Sequence, residues 1–306
     1  MIAFIFRRFA SMVVVLFCVV TITFFLVRIA PGGPFSRERK IPAAIEKQLL
    51  ARYKLDGSMW EQYSGYLGDL LHGDLRLSTK FRDRSVNDLI RQSLPVSVRI
   101  GFTAFLLATF GGVWLGSVAA VRHRTWKDTS AMLGALLAVS IPTFVTGPLL
   151  VLLFALKLGW LPVGGWTSWK SLILPSVTLA GPYVAYIARL MRSSLLEVLG
   201  QDFVRTARAK GLGDSTVLYK HALKVAILPV VSFLGPLAAN LLTGSIVVEA
   251  IFNIPGAGGF FVNSIINRDV FLLSGIVIVD CALLVFLNLL VDIAYTMLDR
   301  RIKLYD

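Results

Sequence analysis

The chain is built around uncharged runs whose length suits lipid rather than water. Between Arg8 and Arg28 lie 19 residues without a charge, between Arg99 and Arg122 22, and between Asp128 and Lys157 28. A further 18 separate Lys170 from Arg189, and 24 separate Lys224 from Glu249. The last run, 270–298, is interrupted only by Asp280 and Asp292. A bilayer core about 30 Å thick is crossed by about 20 apolar helical residues. The runs therefore predict an all-α integral membrane protein with six transmembrane helices. Composition agrees, at 56% hydrophobic and 16% charged, where soluble domains hold roughly 45–50% and about 25%.

A seventh uncharged stretch, 250–267, contains Pro255, Gly256, Gly258 and Gly259. These residue types break helices, so the stretch reads as a folded-back or re-entrant segment, not a span. Arg7 and Arg8 before the first run put the N-terminus in the cytoplasm. Six spans return the C-terminus, with Arg300, Arg301 and Lys303, to the same side. The loops expected there hold Arg122, Arg124 and Lys127, and seven more basic residues between Arg189 and Lys224. In all, 15 of the 31 Lys and Arg fall inside, while the short outer loops hold only Lys157, Lys170 and Arg268. The net charge of +13 thus marks orientation and is not a nucleic-acid footprint.

This reading divides the chain into three parts. Residues 1–29 form the cytoplasmic N-terminus and first helix, 30–95 a small extracytoplasmic helical segment, and 96–306 the core with the remaining five helices. The first run exceeds a signal-peptide core and no A-x-A site follows it, so it is expected to stay as an anchor. Cys18 and Cys281 lie in apolar runs and read as small hydrophobes, with no disulfide or metal spacing.

The outer segment opens with a breaker cluster at 31–34. It continues through 41–53 and 62–71, where apolar residues recur at helical spacing. Two or three short helices are expected, as a lid over the span ends or as a contact for a periplasmic partner. The loop 189–224 carries the clearest local signals. Asp202 is a good N-cap and Gly211 a good residue just past a helix end, which predicts a short helix over 203–210. A second helix is expected to start after Asp214 or Ser215. On spacing alone, the short helix suits docking into another protein, and a solvated basic loop fits equally.

Arg205-Thr206-Ala207-Arg208-Ala209-Lys210-Gly211 occupies the frame E-A-A-x-x-x-G, matching its second alanine and its glycine; Arg205 and Thr206 replace the glutamate and first alanine. That frame resembles the signature loop of the membrane permease subunits of ATP-binding-cassette importers. The wording around it, through Lys220-His221-Ala222-Leu223-Lys224 and Ala226-Ile227-Leu228-Pro229, is similar to the peptide/nickel branch. Three further stretches resemble the B-type permease of oligopeptide importers: the N-terminal 4–34, the outer-segment pieces Phe35 to Pro42, Gln62-Tyr63, Gly73-Asp74-Leu75 and Ser85 to Asp88, and 244–258 running on to Asp269. The resemblance covers nearly the whole chain in order. It implies a bacterial plasma (inner) membrane complex with a second, C-type permease, two cytoplasmic ATPases that bind ATP-Mg, and an extracytoplasmic peptide-binding protein. It also implies that the helix 203–210 couples to an ATPase, with Phe203, Arg205, Ala207, Arg208, Lys210 and Gly211 at the contact.

No Gly-Lys dipeptide occurs, so the chain carries no Walker A loop and no cofactor is expected on it. His72, His123 and His221 are scattered without ligand spacing, and no metal site is expected. A carboxylate at mid-bilayer costs about 2.5–3.5 kcal/mol, which singles out Asp280, with Glu249 at the outer end of span five. Together with Asn240 they are candidates for the translocation path or its gating; bundle-facing carboxyls satisfied by neighbours fit as well. Pro229, Gly235, Pro236 and Gly244 in the same span permit kinks and close helix approach. The competing function is a self-sufficient, proton-coupled peptide transporter using Asp280, although no inverted repeat of the kind common in such folds is visible.

Overall fold

The computed structural model describes residues 2–29, 43–81 and 83–298. The breaker cluster at 31–34, the 35–42 stretch and the basic residues Arg300, Arg301 and Lys303 lie outside the described residues. Among the described residues every regular element is helical, apart from one isolated bridge between Leu77 and Ser85. Four helices are long and apolar enough to cross a membrane: Phe6–Ile29, Val86–Val121, Trp169–Leu199 and Val270–Leu290. Two bent helix pairs, Trp126–Ser140 with Thr143–Lys157 and Asp214–Ala226 with Leu228–Leu242, raise the number to six if each pair is one span.

The chain falls into two units, residues 1–97 with 255–286 and residues 98–254 with 287–306. In the first, α1 (Ile2–Ile29), α2 (Ala43–Arg52) and α3 (Met59–Leu71) precede the start of α4 (Val86–Val121). Ser58 and Glu61 close a reciprocal capping box at the start of α3, satisfying two orphan donors of the first turn. At the start of α4 Ser85 Oγ accepts from the Asp88 amide at 3.0 Å, satisfying one such donor. Val20 and Phe24 of α1, Tyr66 of α3, Val86 and Leu89 of α4, and Phe271 form the buried centre of this unit. Asp269, fully buried, accepts from Ser78 Oγ, from the Thr79 amide at 3.1 Å and from the Leu272 amide at 3.2 Å. One carboxylate thereby fastens the 77–81 loop to the start of the last helix, Val270–Leu298.

The 250–267 stretch is not a span, but its break is narrower than the glycines suggested. Helix Ile246–Ile251 ends at a turn through Asn253 and Pro255, and an 11-residue helix, Ala257–Asn267, follows. At ~1.5 Å per residue that helix is too short to cross. Gly258 and Gly259 lie in its first turn, where amides lack intrahelical partners anyway. The first of these amides, that of Ala257, donates to Ser97 Oγ at 2.9 Å.

In the second unit the remainder of α4 is followed by α5 (Trp126–Ser140), α6 (Thr143–Lys157), α7 (Ile173–Leu199), α8 (Asp202–Ala209), α9 (Asp214–Ala226), α10 (Leu228–Leu242) and α11 (Ile246–Ile251). The run expected as one continuous third span is two helices bent by 108°. Ile141 is extended, at φ −89° and ψ 120°, as the residue before a proline prefers, and Pro142 can donate no amide to continue α5. The fifth run bends by 50° between α9 and α10, with Pro229 in the first turn of α10.

Contacts within this unit sort onto two levels. At one level a Cβ on Gly101 of α4 would collide with the Leu241 carbonyl of α10. There too Ser176 of α7 donates to the Ile100 carbonyl at 3.3 Å, and the Gly165 amide to the Phe252 carbonyl at 2.8 Å. At the other level Gly116 of α4 lies against Ala188 and Met191 of α7, and the 122–128 turn meets Arg192.

A candidate coupling helix and the intramembrane polar residues

α8 is short, and its geometry comes from its ends. Gln201 is extended, at φ −76° and ψ 154°, and occupies the N-cap, so the helix runs one residue earlier than the 203–210 expected. Asp202 is therefore in the first turn and not the cap, where its charge still favours the helix dipole. Past the other end Gly211 takes φ +80°, a region that costs a side-chain-bearing residue about 1–2 kcal/mol. The Gly211 amide donates to Arg208 O at 2.9 Å and the Leu212 amide to Ala207 O at 3.4 Å. This is the paired closure of a Schellman motif, which satisfies carbonyls that the helix end would otherwise orphan. The next helix, expected to start after Asp214 or Ser215, begins at Asp214 itself with Gly213 at the N-cap, again one residue early.

The two faces of α8 differ. Val204 and Ala207 are buried, and α8 packs against the π-helical turn Val217–Ala222 of α9. Phe203, Arg205, Arg208, Lys210 and Gly211 are exposed. Arg205 lies 3.5 Å from Asp202 and Arg208 3.4 Å from Asp214; in solvent such pairs contribute about 0–1 kcal/mol. Of the six residues proposed for a contact, Ala207 is the one turned inward. Its small side chain lets α8 lie close to its own neighbour and offers no surface. Its place was readable from the 204/207 spacing, which puts two apolar residues on one helical face.

A residue cluster that the linear sequence did not announce sits at the α8 end of α7. Arg192 Nε and Nη2 donate to the two carboxylate oxygens of Asp128 at 2.6 and 2.7 Å. The same carboxylate accepts from the Arg124 amide at 3.2 Å and is 3.1 Å from His123 Nδ1. Asp128 is buried, so this bidentate fork fixes the start of α5 to the last turns of α7, ten residues before α8. The partners are 64 positions apart, and no periodicity links them.

The intramembrane candidates do not share an environment. Asn240 is exposed on α10, and Tyr183 Oη of α7 donates to its Oδ1 at 3.1 Å. Glu249 is buried on α11. Asp280 belongs to the other unit and is half-buried on the last helix. Among the described residues no three His, Cys, Asp or Glu side chains group closely enough to hold a metal ion.

Residues 112–304 match the binding-protein-dependent transport system inner membrane components. The chain belongs to this family. The match takes in the last ten residues of α4 and every later element, the α8 loop included. Relatives extend the likeness over the permease's first hundred residues as well. The oligopeptide transport system permease protein OppB of Haemophilus influenzae is 44% identical over 305 residues, 99% of this chain and 100% of the relative. OppB of Salmonella typhimurium is 45% identical over the same lengths. The dipeptide transport system permease protein DppB of Bacillus subtilis is 43% identical, over 98% of this chain and 97% of its own. A solved structure of the MetNI methionine ABC transporter in an inward-facing conformation covers 69% of this chain and 97% of its own, at TM-score 0.59 and 16% identity. That last likeness is one of fold. The permease is thus a multi-pass membrane protein with the helical core of an ATP-binding-cassette permease.

Proposed function

We propose that this permease forms half of the membrane path of an ATP-driven importer and takes up oligopeptides handed over by an extracytoplasmic binding protein. The observation that carries the reading is the end-to-end 44–45% identity with oligopeptide transport permeases, which extends through the outer segment 43–85 as well as the core. In this reading the chain sits in a bacterial inner membrane with six spans and both termini inside. It pairs with a second permease, and two ATPase subunits hold ATP-Mg, since this chain has no phosphate loop of its own. α8 is the coupling helix. Its exposed Phe203, Arg205, Arg208 and Lys210 face an ATPase, and Val204 and Ala207 pass the motion to α9. Because ATP binding stabilises one of two states of the complex, α8 moves with the ATPase and α7 and α9 follow.

The test is uptake of a labelled peptide by proteoliposomes containing the whole complex. Transport should need ATP and binding protein together, and Arg208→Glu with Arg205→Glu should reduce it at least tenfold while ATPase activity of the isolated ATPase subunits is unchanged. Uptake by this chain alone, driven by a proton gradient, would instead establish the proton-coupled reading through Asp280.

A further inference from the structure

The exposed positions of the membrane helices are not alike. Val14, Phe17 and Leu26 on α1, Phe110 and Trp114 on α4, and Leu137 on α5 are exposed, and all are groups that lipid accepts. α7 and α10 differ. On α7 the exposed positions 186, 189, 193 and 197 recur at helical spacing and hold Tyr186, Arg189, Ser193 and Glu197, with Tyr183 half-buried one turn before Tyr186. On α10 the exposed positions 229, 232, 236 and 240 do the same, with Ser232 between Pro229 and Pro236 and Asn240 one turn after Pro236. Residues three and four apart share one face of a helix, so each helix carries one polar stripe. The stripes are joined. Tyr183 Oη bonds Asn240 Oδ1 at 3.1 Å, and the Tyr186 and Phe233 rings lie 4.4 Å apart.

A face rich in hydrogen-bonding groups is unfavourable against hydrocarbon even where some of them, like Ser232 Oγ on the Leu228 carbonyl at 3.0 Å, are already paired, and membrane proteins place such faces against protein or water. We propose that the face of α7 and α10 carrying Tyr183, Tyr186, Ser232 and Asn240 lines the wet route of the transported peptide and holds it by its main chain. This rests on the peptide-import reading above. A phenol, a hydroxyl and a carboxamide supply both donors and acceptors without net charge, as a peptide backbone requires whatever its side chains. The paired rings of Tyr186 and Phe233 add an apolar surface for side chains of any shape. A self-sufficient fork for one carboxylate would need buried cations instead, and these four positions hold none.

The complex is tested with Cys18 and Cys281 replaced by alanine and single cysteines placed at Tyr186, Ser232 or Asn240, with Phe17 and Trp114 as controls. Peptide uptake by the parent complex is measured first; its absence overturns the peptide reading by itself. With uptake present, a membrane-impermeant methanethiosulfonate should modify the three stripe cysteines and not the controls, and saturating tetra-alanine should slow that modification at least fivefold. Tyr183→Phe and Asn240→Leu should each lower peptide uptake severalfold in complexes that still assemble and hydrolyse ATP. Stripe cysteines that stay unreactive, that react equally with and without peptide, or that cross-link only to the second permease would overturn the assignment while leaving peptide import intact.

Discussion

Asp128 and Asp69 show how a single carboxylate organises each unit, and neither pairing was legible in the sequence. An aspartate three residues after Thr125 reads as a first-turn residue of a helix, which Asp128 also is; what the pattern cannot supply is Arg192, on another helix. The buried, bidentate geometry sets the magnitude. Removing one partner of a buried pair costs about 3–5 kcal/mol, while exposed pairs contribute about 0–1; with Arg192 a quarter exposed, Asp128→Ala should cost about 2–3 kcal/mol of stability in detergent. A double-mutant cycle with Arg192→Ala checks it, and additive losses would sink the pairing. Asp69 on α3 lies outside the spans. Burial pushes its carboxyl up, but the Arg76 and Lys54 hydrogen bonds and charges outweigh that and hold it below the usual range. Arg76 is itself buried, 2.7 Å from Asp69 and 5.4 Å over the Tyr66 and Phe271 rings. A depressed folded-state value means stability that is present above the ordinary aspartate pKa, about 3.9, and lost as pH falls through the lower folded value. Pepsin should therefore nick 43–85 faster below about pH 4. Asp69→Asn should flatten that dependence and cost about 2 kcal/mol, the worth of a charge-assisted hydrogen bond.

Elements were easier to foresee than their interruptions. The uncharged runs fall on the four helices long enough to cross a membrane and on the two bent pairs, and 250–267 holds only an 11-residue helix, because length and charge spacing are what a bilayer selects. The 108° bend at Pro142 was missed because 28 uncharged residues outweigh two prolines, Pro142 and Pro148; the cue was present, but an apolar run of that length reads as a single span. In α8 the Gly211 signal was legible and the N-cap slipped by one, since Gln201 and Asp202 differ only in which residue is extended. Gly211 also separates backbone from steric effects. A Cβ there meets nothing within 4 Å, so Gly211→Ala acts solely through φ +80°. It should cost about 1 kcal/mol and fray the end of α8. Gly211→Asn, which tolerates the left-handed region, should cost less. ATP-driven uptake should fall in the order Gly, Asn, Ala, with subunit assembly unchanged; equal uptake in all three would show that the closure of α8 does not matter for coupling.

At the scale of the molecule the open question is parity, because a bent pair is either a crossing or a hairpin that returns. The ion pair decides within the second unit. If α5 and α6 formed a hairpin, the 122–128 turn and the start of α7 would share a side. Arg192, 19 residues into α7, would then sit roughly 28 Å away at ~1.5 Å per residue. It instead touches Asp128 at 2.6 Å. The Gly165 amide meets Phe252, and Ser176 meets Ile100, which gathers the opposite ends on the other level. The last turns of α7 thus return to the level of the 122–128 turn, which is the parity that the Lys and Arg asymmetry leads one to expect. Single cysteines at Ser64 in α3, Trp160 after α6 and Ser215 beside α8, in chains lacking Cys18 and Cys281, test the parity in vesicles of known orientation. Ser64 and Trp160 should be labelled from one face and Ser215 from the other. Labelling of Trp160 and Ser215 from the same face would make α7 something other than a crossing. Labelling of Ser64 from the face that reaches Ser215 would remove one span from α1 or α4. Either result would leave α8 on the wrong side of the membrane to meet an ATPase that acts in the cytoplasm.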